Sequence, residues 1–245
     1  MKRFMVICMV CMVCAGFPAV SQSASEILAR VDANEVYSSI TYTGEMLIEY
    51  QGRRYVKTMK AWARGNAESF IEFTNPEDRG TKYLRTEGRL YVYSPDTEQV
   101  MLISGHLLKE SMMGSDLSYE DTIENDTLSK RYRAEIAGEE ELDSRPVWVL
   151  ELQALRKTES YPSRRLYVSK ETGELVRMEL FALSGARLKE YHLIESKLIG
   201  TRYFPVESEM RDLLRKNSRT VFRMTDIDLD ARIPDSVFSM RNLER

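Results

Sequence analysis

Few side chains in this sequence could make or break covalent bonds. There are two histidines, His106 and His192, and three cysteines, Cys8, Cys11 and Cys14, all in the first apolar run. Ser115-Asp116, downstream of His106, raises the idea of a hydrolase. Such chemistry needs a third group to orient the histidine, and the sequence offers none that can be placed. A lone histidine on a strand or surface is usually structural. No Gly-x-Ser-x-Gly elbow, metal-ligand cluster, phosphate loop or dinucleotide fingerprint occurs. The acidic runs Glu120-Asp121 and Glu139-Glu140-Glu141 read as solvated faces. An enzyme is therefore not expected, nor a metal or cofactor. The remaining chemistry is non-covalent and belongs to apolar, polarizable side chains.

Its focus is Ser111 to Asp121, SMMGSDLSYED, which breaks an otherwise strand-like pattern. Two methionines meet a Gly-Ser-Asp turn, and Ser118-Tyr119-Glu120-Asp121 then offers a helix start. Asp116 or Ser118 can cap that helix, with Glu120 and Asp121 in the first turn where the dipole favours negative charge. A flexible apolar pair followed by a polar turn suits a lid over a cavity; an ordinary loop-plus-helix crossover would read the same way.

The elements around this stretch are mostly strands. Ala24 to Val36 has helical spacing, with Ser25 as its expected N-cap. From Ile40 the period becomes two. Met46, Ile48 and Tyr50 oppose Glu45 and Glu49, Gln51-Gly52 turns the chain, and Arg53 to Arg64 returns. Ala67 to Asn75, Thr81 to Arg85, Arg89 to Tyr93 and Gln99 to Ser104 continue a meander through hairpin turns at Glu87-Gly88 and Ser94-Pro95-Asp96-Thr97. Beyond the central stretch, Arg131 to Ala137 and Arg145 to Gln153 flank an expected acidic turn, Gly138 to Asp143. The alternation then resumes over 165–169, 175–181, 187–199, 204–213 and 218–229, and a short helix over 236–243 closes the chain.

This pattern predicts a mainly β fold: one curved antiparallel sheet of about eleven strands forming an unclosed, half-open barrel, with helices on the concave side. The inward set is large and apolar: Met46, Ile48, Phe73, Trp148, Leu150, Met178 and Met224. These are the expected cavity residues, since methionines and aromatics suit variable acyl chains.

The N-terminus reads as a secretory signal peptide over 1–23, with Lys2-Arg3, an apolar run from Phe4 to Ala15, and small residues before a cut after Ser21 or Ser23. The run is too short to span a bilayer as a stable helix. The mature chain, one domain over 24–245, would hold no cysteine. Cys14 follows Val13, whereas a lipid-modified cysteine normally follows Gly, Ala or Ser, so no anchor is expected there. The formal net charge is −3, or −5 without Lys2 and Arg3, and the basic residues are scattered, which excludes a nucleic-acid surface.

SMMGSDLSYED resembles the signature of the outer-membrane lipoprotein-sorting proteins related to the carrier LolA. Three further segments are similar to family features: Phe73-Thr74-Asn75-Pro76-Glu77-Asp78-Arg79-Gly80-Thr81, Leu90-Tyr91-Val92-Tyr93-Ser94-Pro95 and Ile233-Pro234-Asp235-Ser236-Val237-Phe238. Together they span nearly all of the mature chain in the expected order.

The resemblance implies a half-open barrel with a helical lid over a cavity for acyl chains of a lipoprotein or phospholipid. It implies a periplasmic carrier, expected to be a monomer, working between an inner-membrane transporter and an outer-membrane acceptor. A lipid or lipoprotein sensor, or a transporter-associated adaptor, would need the same pocket. In the lid, Met112 and Met113 are expected to plug the mouth, Gly114 to act as hinge, and Asp116 and Tyr119 to anchor the polar side. Arg53, Arg54 and Arg64 are positional candidates for the arginine with which LolA-type carriers hold the lid.

Overall fold

A computed structural model describes residues 22–123 and 126–245. Of the expected signal segment over 1–23, residues 1–21 lie outside the described residues. Helix α1 spans Ala24–Glu35 and is capped by Ser23, whose hydroxyl accepts from the Glu26 N–H while Glu26 bonds back to the Ser23 N–H. The cap is thus Ser23 rather than Ser25, because the glutamate at 26 completes a capping box with 23.

Strands β1 (Ser39–Tyr50), β2 (Arg53–Arg64), β3 (Glu68–Phe73), β4 (Lys82–Thr86), β5 (Arg89–Ser94) and β6 (Gln99–Ile103) form a first meander. A crossover follows, carrying 3-10 turns at Gly105–Lys109 and Met112–Gly114 and short helices α2 (Tyr119–Thr122) and α3 (Leu128–Arg131). The second meander is β7 (Tyr132–Leu142), β8 (Arg145–Ala154), β9 (Ser163–Ser169), β10 (Leu175–Phe181), β11 (Arg187–Ile199), β12 (Arg202–Asp212) and β13 (Ser218–Leu229). A 3-10 turn at Asp235–Phe238 and helix α4 (Met240–Leu243) end the chain.

All strands join one antiparallel sheet of thirteen, ordered β6-β5-β4-β3-β2-β1-β13-β12-β11-β10-β9-β8-β7. The count exceeds the expected figure of about eleven because every one of the alternating segments, down to the short ones at 82–86 and 99–103, pairs into the sheet. Expected elements otherwise fall where the alternation placed them, with one shift. The acidic run Glu139-Glu140-Glu141 is not a turn but the end of β7, and the chain reverses at Asp143-Ser144 in the left-handed region. Charge on that strand suits its place at an open sheet edge. Type I′-like geometry closes the tight hairpins at Gln51-Gly52 and Glu87-Gly88, where both central residues have positive φ.

The topology decides what covers the sheet. β1 and β13 pair at the centre, so β6 and β7 lie at opposite edges and the sheet does not close. The crossover from one edge to the other must run over the concave face. It covers the β1–β6 half, while α1 covers the β7–β13 half. Under α1, Ile27, Leu28 and Val31 pack onto Leu150, Leu152, Leu166, Val168, Met178 and Leu180. Under the crossover, Met112 joins Met46, Ile48, Met59, Phe73, Tyr83, Leu90, Val92 and Ile103. On the opposite face Phe238 and Leu243 cover Phe70 and Leu84. No helix among the described residues is long and apolar enough to cross a membrane.

Candidate functional site

Strand parity aims Met59, Ala61 and Ala63 of β2 and Ser69 and Ile71 of β3 toward the crossover. Pairing sets them in rows. Ala61 lies beside Tyr42, and Ile71 beside Ala61 and Tyr83; one row on, Ala63 lies beside Ile40 and Ser69, and Ser69 beside Arg85. Ala61, Ala63 and Ser69 are short, so they do not reach the crossover above them. A cavity of about 330 Å³ remains, with Met46, Met59, Leu90 and Phe222 on its walls and Met112, Leu117 and Thr122 from the crossover. Its polar part is formed by Tyr37, Asn66, Glu68, Ser69 and Arg85.

The crossover is a compact loop closed on itself. Met112 N–H donates to the Leu117 carbonyl at 2.8 Å, Tyr119 N–H to Glu110 at 3.1 Å, and Ser115 N–H to Met112 at 2.9 Å. Met113 and Gly114 turn through positive φ, at 53° and 77°. Ser118 caps α2 in a capping box with Asp121.

Its apolar side faces the first meander and its polar side is tied to the second. Asp116, 1% exposed, accepts from the Thr220 hydroxyl at 2.6 Å and the Asp212 N–H at 3.0 Å, and its own N–H donates to Thr220 Oγ1 at 2.9 Å. Arg215 donates to the carbonyls of Gly114 and Ser115 and stacks on Tyr50, 4.6 Å from the ring centroid. Lys189 Nζ lies 2.6 Å from Asp121 Oδ2, and the Tyr161 hydroxyl donates to Asp121 Oδ1 at 2.7 Å. Burial pushes the Asp121 carboxyl up, but the Lys189 ammonium and the donated bonds together hold it below its ordinary value. On the apolar side, the Tyr83 hydroxyl donates to the Met113 sulfur at 3.0 Å and sits 3.4 Å from the Tyr119 hydroxyl.

The residues expected at the site separate into groups. Met46 and Met112 line the cavity. Ile48 and Phe73 are fully packed in the same cluster, with Met113 and Tyr119 against it. Trp148, Leu150 and Met178 lie on the concave face under α1, and Met224 packs near Phe204 and Val206. Gly114 sits at the positive-φ turn and Asp116 at the buried tie. Ser115 Oγ donates to the Met112 carbonyl, His106 is exposed on a 3-10 turn, and His192 on β11 lies 4.0 Å from Glu190.

The arginine contacts fall elsewhere than at the positional candidates. Arg54 pairs with Glu49, Arg64 with Glu68 and Asp235, and Arg53 is exposed. Arg215 and Arg85 are the arginines that donate to crossover carbonyls among the described residues, Arg85 reaching Thr122 at 3.5 Å. Parity could have found Arg85, since Tyr83 and Arg85 share a face of a five-residue strand. No local signal marks Arg215, which lies in a turn between β12 and β13.

An unclosed antiparallel barrel whose edge-to-edge crossover roofs an apolar cavity defines a LolA-like fold. A family model described as an uncharacterized protein matches residues 65–245, and the chain belongs to that family. Solved structures bear out the fold. A DUF1329 family protein from Desulfovibrio piger is 24% identical, with 90% of this chain and 97% of that one aligned at a TM-score of 0.81. A domain from Vibrio parahaemolyticus described as a candidate outer membrane lipoprotein-sorting protein is 19% identical over 91% and 98%, at 0.79. A LolA superfamily protein from Nitrosomonas europaea is 20% identical over 91% and 100%, at 0.75. The likeness to outer-membrane lipoprotein-sorting proteins read from the sequence thus holds for the fold. No curated protein matches the sequence.

Proposed function

We propose that this protein is a periplasmic carrier that takes an acyl chain of a lipoprotein or phospholipid into the cavity under the crossover. It receives the chain from inner-membrane machinery and delivers it to the outer membrane, after removal of the signal segment by a cut after Ser21, which leaves the Ser23 cap of α1 in place. The observation that supports this reading most is the 330 Å³ space between Ala61, Ala63 and Met112, walled mainly by apolar side chains. That volume lies at the small end of the ~300–1,000 Å³ typical of ligand sites, which suits one chain rather than several.

Each methylene taken from water contributes about 0.8 kcal/mol, so a chain is held firmly against loss to solvent. Release then requires the roof to move. The crossover suits that task because its ties to the second meander are a few specific polar contacts, which a partner can break, while its apolar side touches the cavity. Gly114 is the proposed hinge, and Met112 and Met113 close the space when no chain is present. Asp116 and Tyr119 keep the segment in register. In this reading the protein performs no covalent chemistry.

The test is to purify the mature protein, extract it with organic solvent and identify what co-purifies, then mix it with acceptor vesicles. Stoichiometric lipid that passes to the vesicles is the expected result. Absence of any lipid, before and after incubation with donor vesicles, would overturn the proposal. The several buried polar ties on the crossover favour a second reading, a sensor or transporter-associated adaptor; lipid bound tightly without transfer is its signature.

A further inference from the structure

The cavity is not lined uniformly by hydrocarbon. Arg85 lies on its wall and is only 5% exposed. Its guanidinium donates to two backbone carbonyls, Asn66 and, at a long 3.5 Å, Thr122. Its Nε is buried and has no acceptor among the described residues. No carboxylate pairs with it among the described residues. Glu68, which also contributes to the lining, has its carboxylate engaged by Arg64 at 3.3 Å.

A buried cation normally carries a counter-charge, because two neutral carbonyls do not replace the water it has lost. Burial pulls the Arg85 guanidinium down from its ordinary range. Nearby Tyr37 shows the opposite pair of influences, burial pushing its phenol up and the Arg85 charge drawing it down. An arginine keeps its proton even when buried, so the site presents a charged donor beside the Tyr37 hydroxyl. The neighbouring row of the sheet, Tyr42, Ala61, Ile71 and Tyr83, is largely apolar. A cation set one row beyond an apolar floor matches a molecule with one hydrocarbon chain and one anionic end.

We propose that the cavity selects single-chain anionic amphiphiles, with the chain over Ala61 and Ile71 and the carboxylate or phosphate against the guanidinium of Arg85. This rests on the carrier reading for the existence of the ligand and adds its chemical class. The long bond to Thr122 is the contact that the anion displaces.

The experiment titrates delipidated mature protein with laurate, lauryl phosphate and lauryl alcohol, each displacing a fluorescent fatty acid at fixed ionic strength. Laurate or lauryl phosphate is expected to bind at least about ten-fold more tightly than the alcohol, as a charge-assisted bond exceeds a neutral one. The better of the two anions separates a fatty acid from a lysophospholipid as the source. Arg85→Met is expected to bring the ratio of anion to alcohol affinity close to one, while Arg133→Met, on an exposed residue of β7, keeps it. Equal affinities of the wild-type protein for all three probes would overturn the anionic selection and leave the carrier reading intact. Failure of the wild-type protein to bind any of them would overturn both. The wild-type comparison decides the matter even if Arg85→Met does not fold.

Discussion

The two halves of the concave face are built from the same kind of strand yet finish differently. Beneath α1 the inward side chains are long and branched, including Leu150, Leu152, Leu166, Val168 and Leu180, and Ile27, Leu28 and Val31 fill the space over them. Beneath the crossover the floor includes Ala61, Ala63 and Ser69, and the covering segment is made of turns and one-turn helices rather than one long helix; about 330 Å³ stays open. Each half also buries an arginine. Arg164, 2% exposed, donates to the Tyr132 hydroxyl at 2.9 Å and lies 4.8 Å from the Tyr132 ring centroid and 5.4 Å from that of Tyr161. Arg85 has a donor without an acceptor among the described residues and lies on the wall of the open space. One half thus resembles a finished core and the other a core that lacks one component. The difference lies in side-chain length on the floor and in what the topology can bring over it.

The largest expected effect comes from the seam between the halves. Lys189→Ala would leave the Asp121 carboxylate buried without its cation and should cost about 3–5 kcal/mol in urea unfolding. The same pair sets a pH limit. Asp121 is held below its ordinary value near 3.8, so its contribution is complete above that value and is lost as pH falls through the lower, folded-state value. Ligand exchange should therefore be insensitive to pH from about 8 to 5 and accelerate only in stronger acid. Acceleration already at mild acidity would show that another group controls the roof.

Next in size, Leu150→Ala should destabilise the filled half by about 2–5 kcal/mol, since α1 cannot collapse into the space created. Its ligand affinity should stay within error of wild type. Gly114→Val forces a β-branched residue into a left-handed turn, although nothing lies within 4 Å of the added Cβ. A loss of about 1–2 kcal/mol and slower exchange of a fluorescent fatty acid are expected. An unchanged exchange rate would remove Gly114 from the hinge.

The smallest stability change is the most informative. Ala61→Leu places three more carbons in the open half, where space exists, and should cost less than about 1.5 kcal/mol while abolishing fatty-acid displacement. A loss as large as that of Leu150→Ala would mean that the two halves are equally filled and that the comparison fails.

Much of this was legible beforehand because antiparallel strands carry local signatures. Alternation marked each strand, and the Gln51-Gly52 and Glu87-Gly88 dipeptides marked the tight turns. SMMGSDLSYED stood out as an interruption. Alternation puts Trp148, Leu150 and Met178 on the inward face, where they lie under α1, yet it does not say whether an inward residue meets a helix or a void. Arg85 was readable by parity with Tyr83, but an inward arginine is easily assigned to solvent when only the apolar set is followed.

By itself, then, the sequence determined the strands, their order along two meanders, the amphipathic first helix and the place where a crossover must occur. Period-two and period-3.6 patterns act over a few residues, and a single chain carries them in full. The tertiary structure decided which half is filled, which arginine faces the space and what holds the roof. Those outcomes depend on pairs such as Asp116 with Thr220, 104 positions apart, and Asp121 with Lys189, 68 apart. Such pairs meet only after β13 has docked on β1 and carried the second meander beneath the polar side of the crossover.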